Sequence, residues 1–269
     1  MKLMMVLLVL ASRELLSVQW RDLLIMPQYW WRDTWLKLAE KHQISASATL
    51  LLLAFLPVLA FAAILFALKQ NYASGWQLLW AAVILVPVFV DRQLPSILAT
   101  YREQWSKDSR ISKQEFDIAR RQLFETHIKE LFAPLFWVFL LGAWGVLLVS
   151  IYYSCRICAQ QTQNQLLSDL AHRALWYLNW LPSQAVVLSF ALVGQFMPTW
   201  RYYLAHWSDT NIDPYHMVDE AANIAEVTDV PENTQYVDNI VWLSHLASYE
   251  SLCLRVVMLW VILLVIQLI

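Results

Sequence analysis

The chain has only 4 glycines in 269 residues, Gly75, Gly142, Gly145 and Gly194, and they are scattered at or within apolar stretches. A phosphate loop or a dinucleotide turn needs clustered glycines to bring backbone N–H groups close to a phosphate, so neither can be drawn here. The patterns G-x-S-x-G and H-E-x-x-H are also missing, which removes the ordinary serine-hydrolase and zincin arrangements. Cysteine is as sparse, with 3 in all. Cys155 and Cys158 would share one face of a continuing helix. A structural zinc site takes about four ligands, however, and no second Cys-x-x-Cys exists. The expectation is two ordinary thiols at the edge of an apolar segment, with no metal and no cofactor. Charge is scarce too: Asp, Glu, Lys and Arg make up 15% of the chain and sum to −2, leaving no polybasic footprint for nucleic acid.

What is abundant is apolar and aromatic, with 59% hydrophobic residues and 15 tryptophans. With positive mean hydropathy, this composition predicts an all-α, polytopic helical membrane protein: one integral membrane domain over residues 1–269 with four to five transmembrane helices. Ser45 to Leu68 is almost purely apolar and long enough to cross a bilayer as a helix. After a polar break it pairs with Trp76 to Val90 as a hairpin. Further spans are expected at Phe132 to Tyr153, at about Ala174 to Met197 across Pro182, and at Leu254 to Ile269. The amino-terminal run from Leu3 to Ala11 resembles a signal peptide but lacks an A-x-A-like cleavage site, so a retained, short membrane-inserted helix ending at Arg13-Glu14 is expected.

Residues 91–131 are dense in both charge signs with apolar residues interspersed, which predicts amphipathic helix with a break near Ser109. This segment and Arg13 to Lys41 carry the basic residues that flank the hairpin, so both are assigned to the cytoplasm, as is the acidic segment 198–252. In the latter, His206, Asp209, Asp213 and His216 have the residue types of a divalent-ion site, but a solvated acidic loop is the commoner meaning of such a run. Trp20, Trp30, Trp31 and Trp35, beside Arg21, Arg32 and Lys37, read as an aromatic belt at the headgroup level. Polar residues at membrane depth or at its edge are Arg13, Glu14, Glu125, His127, Asn179, Gln184, Arg201 and Arg255. A charge at the centre of a bilayer helix costs about 2.5–3.5 kcal/mol on insertion scales, so such residues face protein or water.

Three stretches carry a family resemblance, two of them motifs and the third the short amino-terminal apolar run ending in the charged pair Arg13-Glu14. Ala133-Pro134-Leu135-Phe136-Trp137, followed by Gly142, Trp144 and Gly145, and Asn179-Trp180-Leu181-Pro182 with the apolar stretch after it, resemble segments of the AmpE inner-membrane proteins. More distantly they are similar to the CobD/CbiB proteins of cobalamin biosynthesis. In the CbiB-like enzymes, E-N-T-x-D-G precedes the first motif. Here the run is Glu125-Thr126-His127-Ile128-Lys129-Glu130, which keeps the Glu and loses the Asn, Asp and Gly. An arginine expected two residues after the Pro is Gln184. Loss of these polar groups with retention of the scaffold looks like AmpE. The resemblance then implies a non-catalytic membrane component of peptidoglycan recycling and β-lactamase induction, paired with a cytoplasmic anhydromuramyl-peptide amidase. On this reading Glu14, Glu125, His127 and Asn179 border a site for a polar ligand, and the charged helix transmits its occupancy. A CbiB-like amide-forming enzyme and a membrane anchor for a cytoplasmic partner are the alternatives.

Overall fold

The computed structural model describes residues 33–39, 41–42, 44–53, 94–107, 110–162, 164–226 and 236–266. The amino-terminal membrane segment, Glu14 and most of the expected first hairpin lie outside them. The described chain is mostly helical, as its composition predicts. Helical stretches at 33–39 and 46–53 are followed by α1 (Leu94–Lys107), β1 (Arg110–Ser112), α2 (Lys113–His127), a π turn (Ile128–Phe132), α3 (Ala133–Leu141) and α4 (Ala143–Gln161). Then come α5 (Gln165–Val193), α6 (Phe196–His206), α7 (Pro214–Ala225), β2 (Tyr236–Asp238) and α8 (Asn239–Ile266). The break expected near Ser109 falls between α1 and α2. There β1 pairs antiparallel with β2 in the register Arg110 to Asp238, Ile111 to Val237 and Ser112 to Tyr236. Ser112 restarts the helix through a capping box: its Oγ accepts from the Glu115 N–H at 3.3 Å, and the Glu115 carboxylate accepts from the Ser112 N–H at 3.0 Å.

The chain divides into two compact units, one made of residues 1–91 and 134–178, the other of 92–133 and 179–269. In the first, the single span expected over Phe132 to Tyr153 is interrupted. Gly142 adopts φ 61°, a conformation that costs glycine little and other residues much. A Cβ placed on Gly145 would lie 2.0 Å from the Trp137 carbonyl oxygen. In a straight helix these residues would be about 12 Å apart. The chain therefore turns sharply at Gly142, and the missing side chain at 145 lets α4 start against the backbone of α3. At the far end of α4 a short turn leads into α5, where the Ser168 hydroxyl donates to the Ala159 carbonyl at 3.2 Å. Cys155 and Cys158 are buried within α4, and Cys158 packs with Leu53 and Ala171 in a small core.

The second unit is built on aromatic contacts between α2, α5 and α8. Phe116 stacks on Trp242 at 4.1 Å, Phe124 meets Phe190 and Tyr249 edge-on at 5.9 and 5.6 Å, and Phe132 meets Trp260 edge-on at 5.6 Å. Such pairs add about 0.5–1.5 kcal/mol each beyond the area they bury. Helix α8 begins at Asn239, well before the expected Leu254, and its stretch Asn239–Leu263 is long and apolar enough to cross a membrane. Among the described residues it is the one helix that is. One face, Trp242, Leu246, Tyr249, Leu252, Val256 and Trp260, is buried; the opposite face exposes Leu254, Met258, Ile262 and Ile266. Beyond Arg255 the described helix is thus apolar on both sides.

Candidate functional site

Of the expected site residues, Glu125 and His127 sit on the last turn of α2, just before the π turn that joins it to α3. Pro134 has no N–H to close on the Glu130 carbonyl, and in a regular helix its ring would strike that oxygen. The backbone widens just before it, with the Ala133 N–H bonding to the Ile128 carbonyl five residues back. Such single π turns recur at functional positions. Thr126 and His127, on the last turn of α2, send their side chains back to the helix. The Thr126 hydroxyl donates to the Gln122 carbonyl at 2.7 Å and His127 Nδ1 lies 2.9 Å from the Leu123 carbonyl. A carbonyl only accepts, so Nδ1 carries the proton. The His127 ring is buried and stacks on Phe132 at 6.2 Å, so it belongs to the core beside the turn.

Glu125 and Asn179 are brought together through two residues that sequence reasoning left out of the site. Glu125 pairs with Lys129 one turn later, and the Lys129 ammonium lies 4.8 Å from the centre of the Tyr215 ring. The Tyr215 hydroxyl accepts from Asn179 Nδ2 at 2.8 Å, and Asn179 is fully buried. Carboxylate, ammonium, phenol and amide therefore form one line of contacts from α2 through α7 to α5. Glu125 and Lys129 keep partial solvent access, while Asn179 is sealed inside. Tyr215 was hidden in the acidic segment; the signal that could have found it is Asp213-Pro214, a helix start that places the following residue on a structured first turn. Of the four site residues proposed from the sequence, Glu125 and Asn179 join in this line, His127 packs next to it, and Glu14 lies outside the described residues.

The two family-like motifs serve each other structurally. Pro182 stands inside α5 and lacks the N–H that would bond to the Leu178 carbonyl. The indole N–H of Trp137 donates to that carbonyl at 3.2 Å. Ala133, Pro134, Leu135 and Pro182 are buried, Trp180 is half-buried, and Phe136 meets Trp137 edge-on at 5.2 Å. The proline of one motif thus leaves the vacancy, and the tryptophan of the other supplies the donor, of one hydrogen bond.

The acidic segment is not only a solvated loop, because α7 runs through it with Met217, Val218, Ala221, Ala222 and Ala225 inside. Asp219 is buried with them and holds Arg120 by two bonds, Nε to Oδ1 at 2.8 Å and Nη2 to Oδ2 at 3.1 Å. Asn223 and the ring of Tyr249 complete the surroundings of the guanidinium. Burial alone would lower the Arg120 pKa, but the hydrogen bond and charge of Asp219 outweigh it and the net shift is upward. The donors considered for a divalent ion are dispersed in other contacts. His206 Nδ1 bonds the Tyr202 carbonyl and Asp213 pairs with Arg121. His216 does cluster with Asp219 and Glu220 within 4.8 Å, and both Asp219 oxygens there already accept from Arg120. No family model, no curated protein and no solved structure matches the chain.

Proposed function

We propose that the protein is a non-catalytic regulatory component of the bacterial inner membrane, of the AmpE type, that acts in peptidoglycan recycling and β-lactamase induction. It crosses the membrane with four to five helices and presents 91–131 and 198–252 to the cytoplasm, where an anhydromuramyl-peptide amidase is its partner. The observation that carries this reading is the line Glu125, Lys129, Tyr215, Asn179. The one acid kept from the enzyme-like run is neutralised by its own neighbour one turn on, an arrangement that suits sensing better than proton transfer. A polar ligand reaching this edge would compete with Glu125 for Lys129.

The test pairs two assays. In cells whose own copy is deleted, Glu125→Ala supplied in trans is expected to change β-lactamase induction at unchanged protein abundance. Purified protein with ATP, adenosylcobyric acid and aminopropanol phosphate is expected to give no ATP turnover. Turnover that Glu125→Ala abolishes would replace the regulator with a CbiB-like enzyme. Unchanged induction in the variant would leave a membrane anchor.

A further inference from the structure

Helix α6 is built inside out. Its outward face carries Phe196, Met197, Leu204 and, just past its end, Trp207, which are 47%, 58%, 52% and 51% exposed. Its inward side carries Thr199, fully buried, with a hydroxyl that has no hydrogen-bond partner among the described residues. Tyr202 and His206 are the other polar groups turned partly inward, their rings 4.5 Å apart. A helix bathed in water places its apolar residues inward and its polar ones outward. The reverse order is stable where the outer solvent is hydrocarbon. At 11 residues α6 is much shorter than the roughly 20 needed to span a bilayer. One cation, Arg201, stands in the middle of the exposed face. On an in-plane helix a long arginine reaches the phosphate level while its neighbours sink below it.

The neighbourhood agrees. Arg255 of α8 donates to the Val193 carbonyl at 3.0 Å and to Glu226 at 2.8 Å, which ties α8 to the end of α5 just before α6 begins. After Ile240 and Val241, exposed at its start, the outward face of α8 carries Ser244, Ala247 and Ser251, and near this tie it changes to Leu254, Met258 and Ile262. The start of α6 therefore lies where α8 passes from a polar to an apolar outer surface.

We propose that α6 is an interfacial helix lying in the plane of the membrane. It seats Phe196, Met197, Leu204 and Trp207 among lipid acyl chains, with Arg201 on the lipid phosphates. This moves residues 196–207 out of the solvated acidic segment and makes lipid their binding partner. The inference rests on the membrane placement of α8, and the test separates the two. Full-length protein is reconstituted in phosphatidylcholine/phosphatidylglycerol vesicles with a nitroxide at Met197→Cys, Leu204→Cys, Ser244→Cys or Ile262→Cys. The native Cys155, Cys158 and Cys253 are buried, and the unsubstituted protein measures their background. Collisions with oxygen, which concentrates in lipid, and with a water-soluble nickel complex report each label's surroundings. Oxygen-dominated collisions are expected at 197, 204 and 262, and nickel-dominated ones at 244. Adding Arg201→Glu should shift the label at 204 toward nickel. If 197 and 204 behave like 244 while 262 stays with oxygen, the interfacial helix is overturned and α8 stands. If 262 also behaves like 244, the membrane placement of α8 fails and the proposal fails with it.

Discussion

Two ion pairs leave the same helix, α2, and they are built to opposite specifications. Arg120 and Asp219 are buried, joined by two bonds across 99 positions of chain, and flanked by Asn223 and Tyr249. Glu125 and Lys129 are neighbours on one helix face, partly open to solvent, with the ammonium leaning on Tyr215. The first has no way to loosen without stranding a charge in the core. The second can exchange partners at little cost, since exposed pairs are worth about 0–1 kcal/mol. A fixed contact and an exchangeable one are therefore about two and a half turns apart: Arg120 fastens α2 to α7, and Lys129 in the π turn keeps a pairing that can change.

Substitutions rank this contrast. Arg120→Ala or Asp219→Ala should each cost about 3–5 kcal/mol, read as loss of thermal stability in detergent, because the first strands the buried Asp219 carboxylate and the second leaves the buried guanidinium only the more exposed Asp117 at 3.3 Å. The double change Arg120→Met with Asp219→Leu should recover much of that loss; a double variant as weak as the singles would mean the pair does more than fasten. Trp137→Phe removes the donor to the Leu178 carbonyl and should cost about 1–3 kcal/mol. Ser112→Ala opens the capping box of α2 and should cost about 1 kcal/mol, measurable as lower thermal stability. Glu125→Gln comes last, under about 1 kcal/mol. A thermal loss at Glu125 as large as that at Arg120 would erase the distinction between the two pairs.

Much of this was legible in the chain. The helical character, the break near Ser109 and the membership of Glu125 and Asn179 in one polar set follow from composition, from charge and from the family-like motifs. The parts that were not legible have physical reasons. A single glycine in an apolar run looks neutral, so the turn at Gly142 was read as continuous span; only the approach of Gly145 to the Trp137 backbone reveals it. The first half of α8 has polar residues on its exposed side, which hides its continuity with the apolar half. Asp219 was counted with the solvated acids because burial of a carboxylate is decided by a partner 99 positions away. Lys129 and Tyr215 were left out of the site because their meeting depends on where α7 packs, which no local pattern encodes. The Trp137 bond was within reach, since a proline inside a helix always leaves a carbonyl that needs a donor.

The central proposal is that Glu125 serves regulation and not catalysis or packing. Its most direct test is the β-lactamase response to an inducing β-lactam in cells carrying Glu125→Gln beside cells carrying the wild-type chain, with membrane abundance measured in both. The account predicts an altered response at equal abundance. An unaltered response, with the same amount of protein in the membrane, would contradict it.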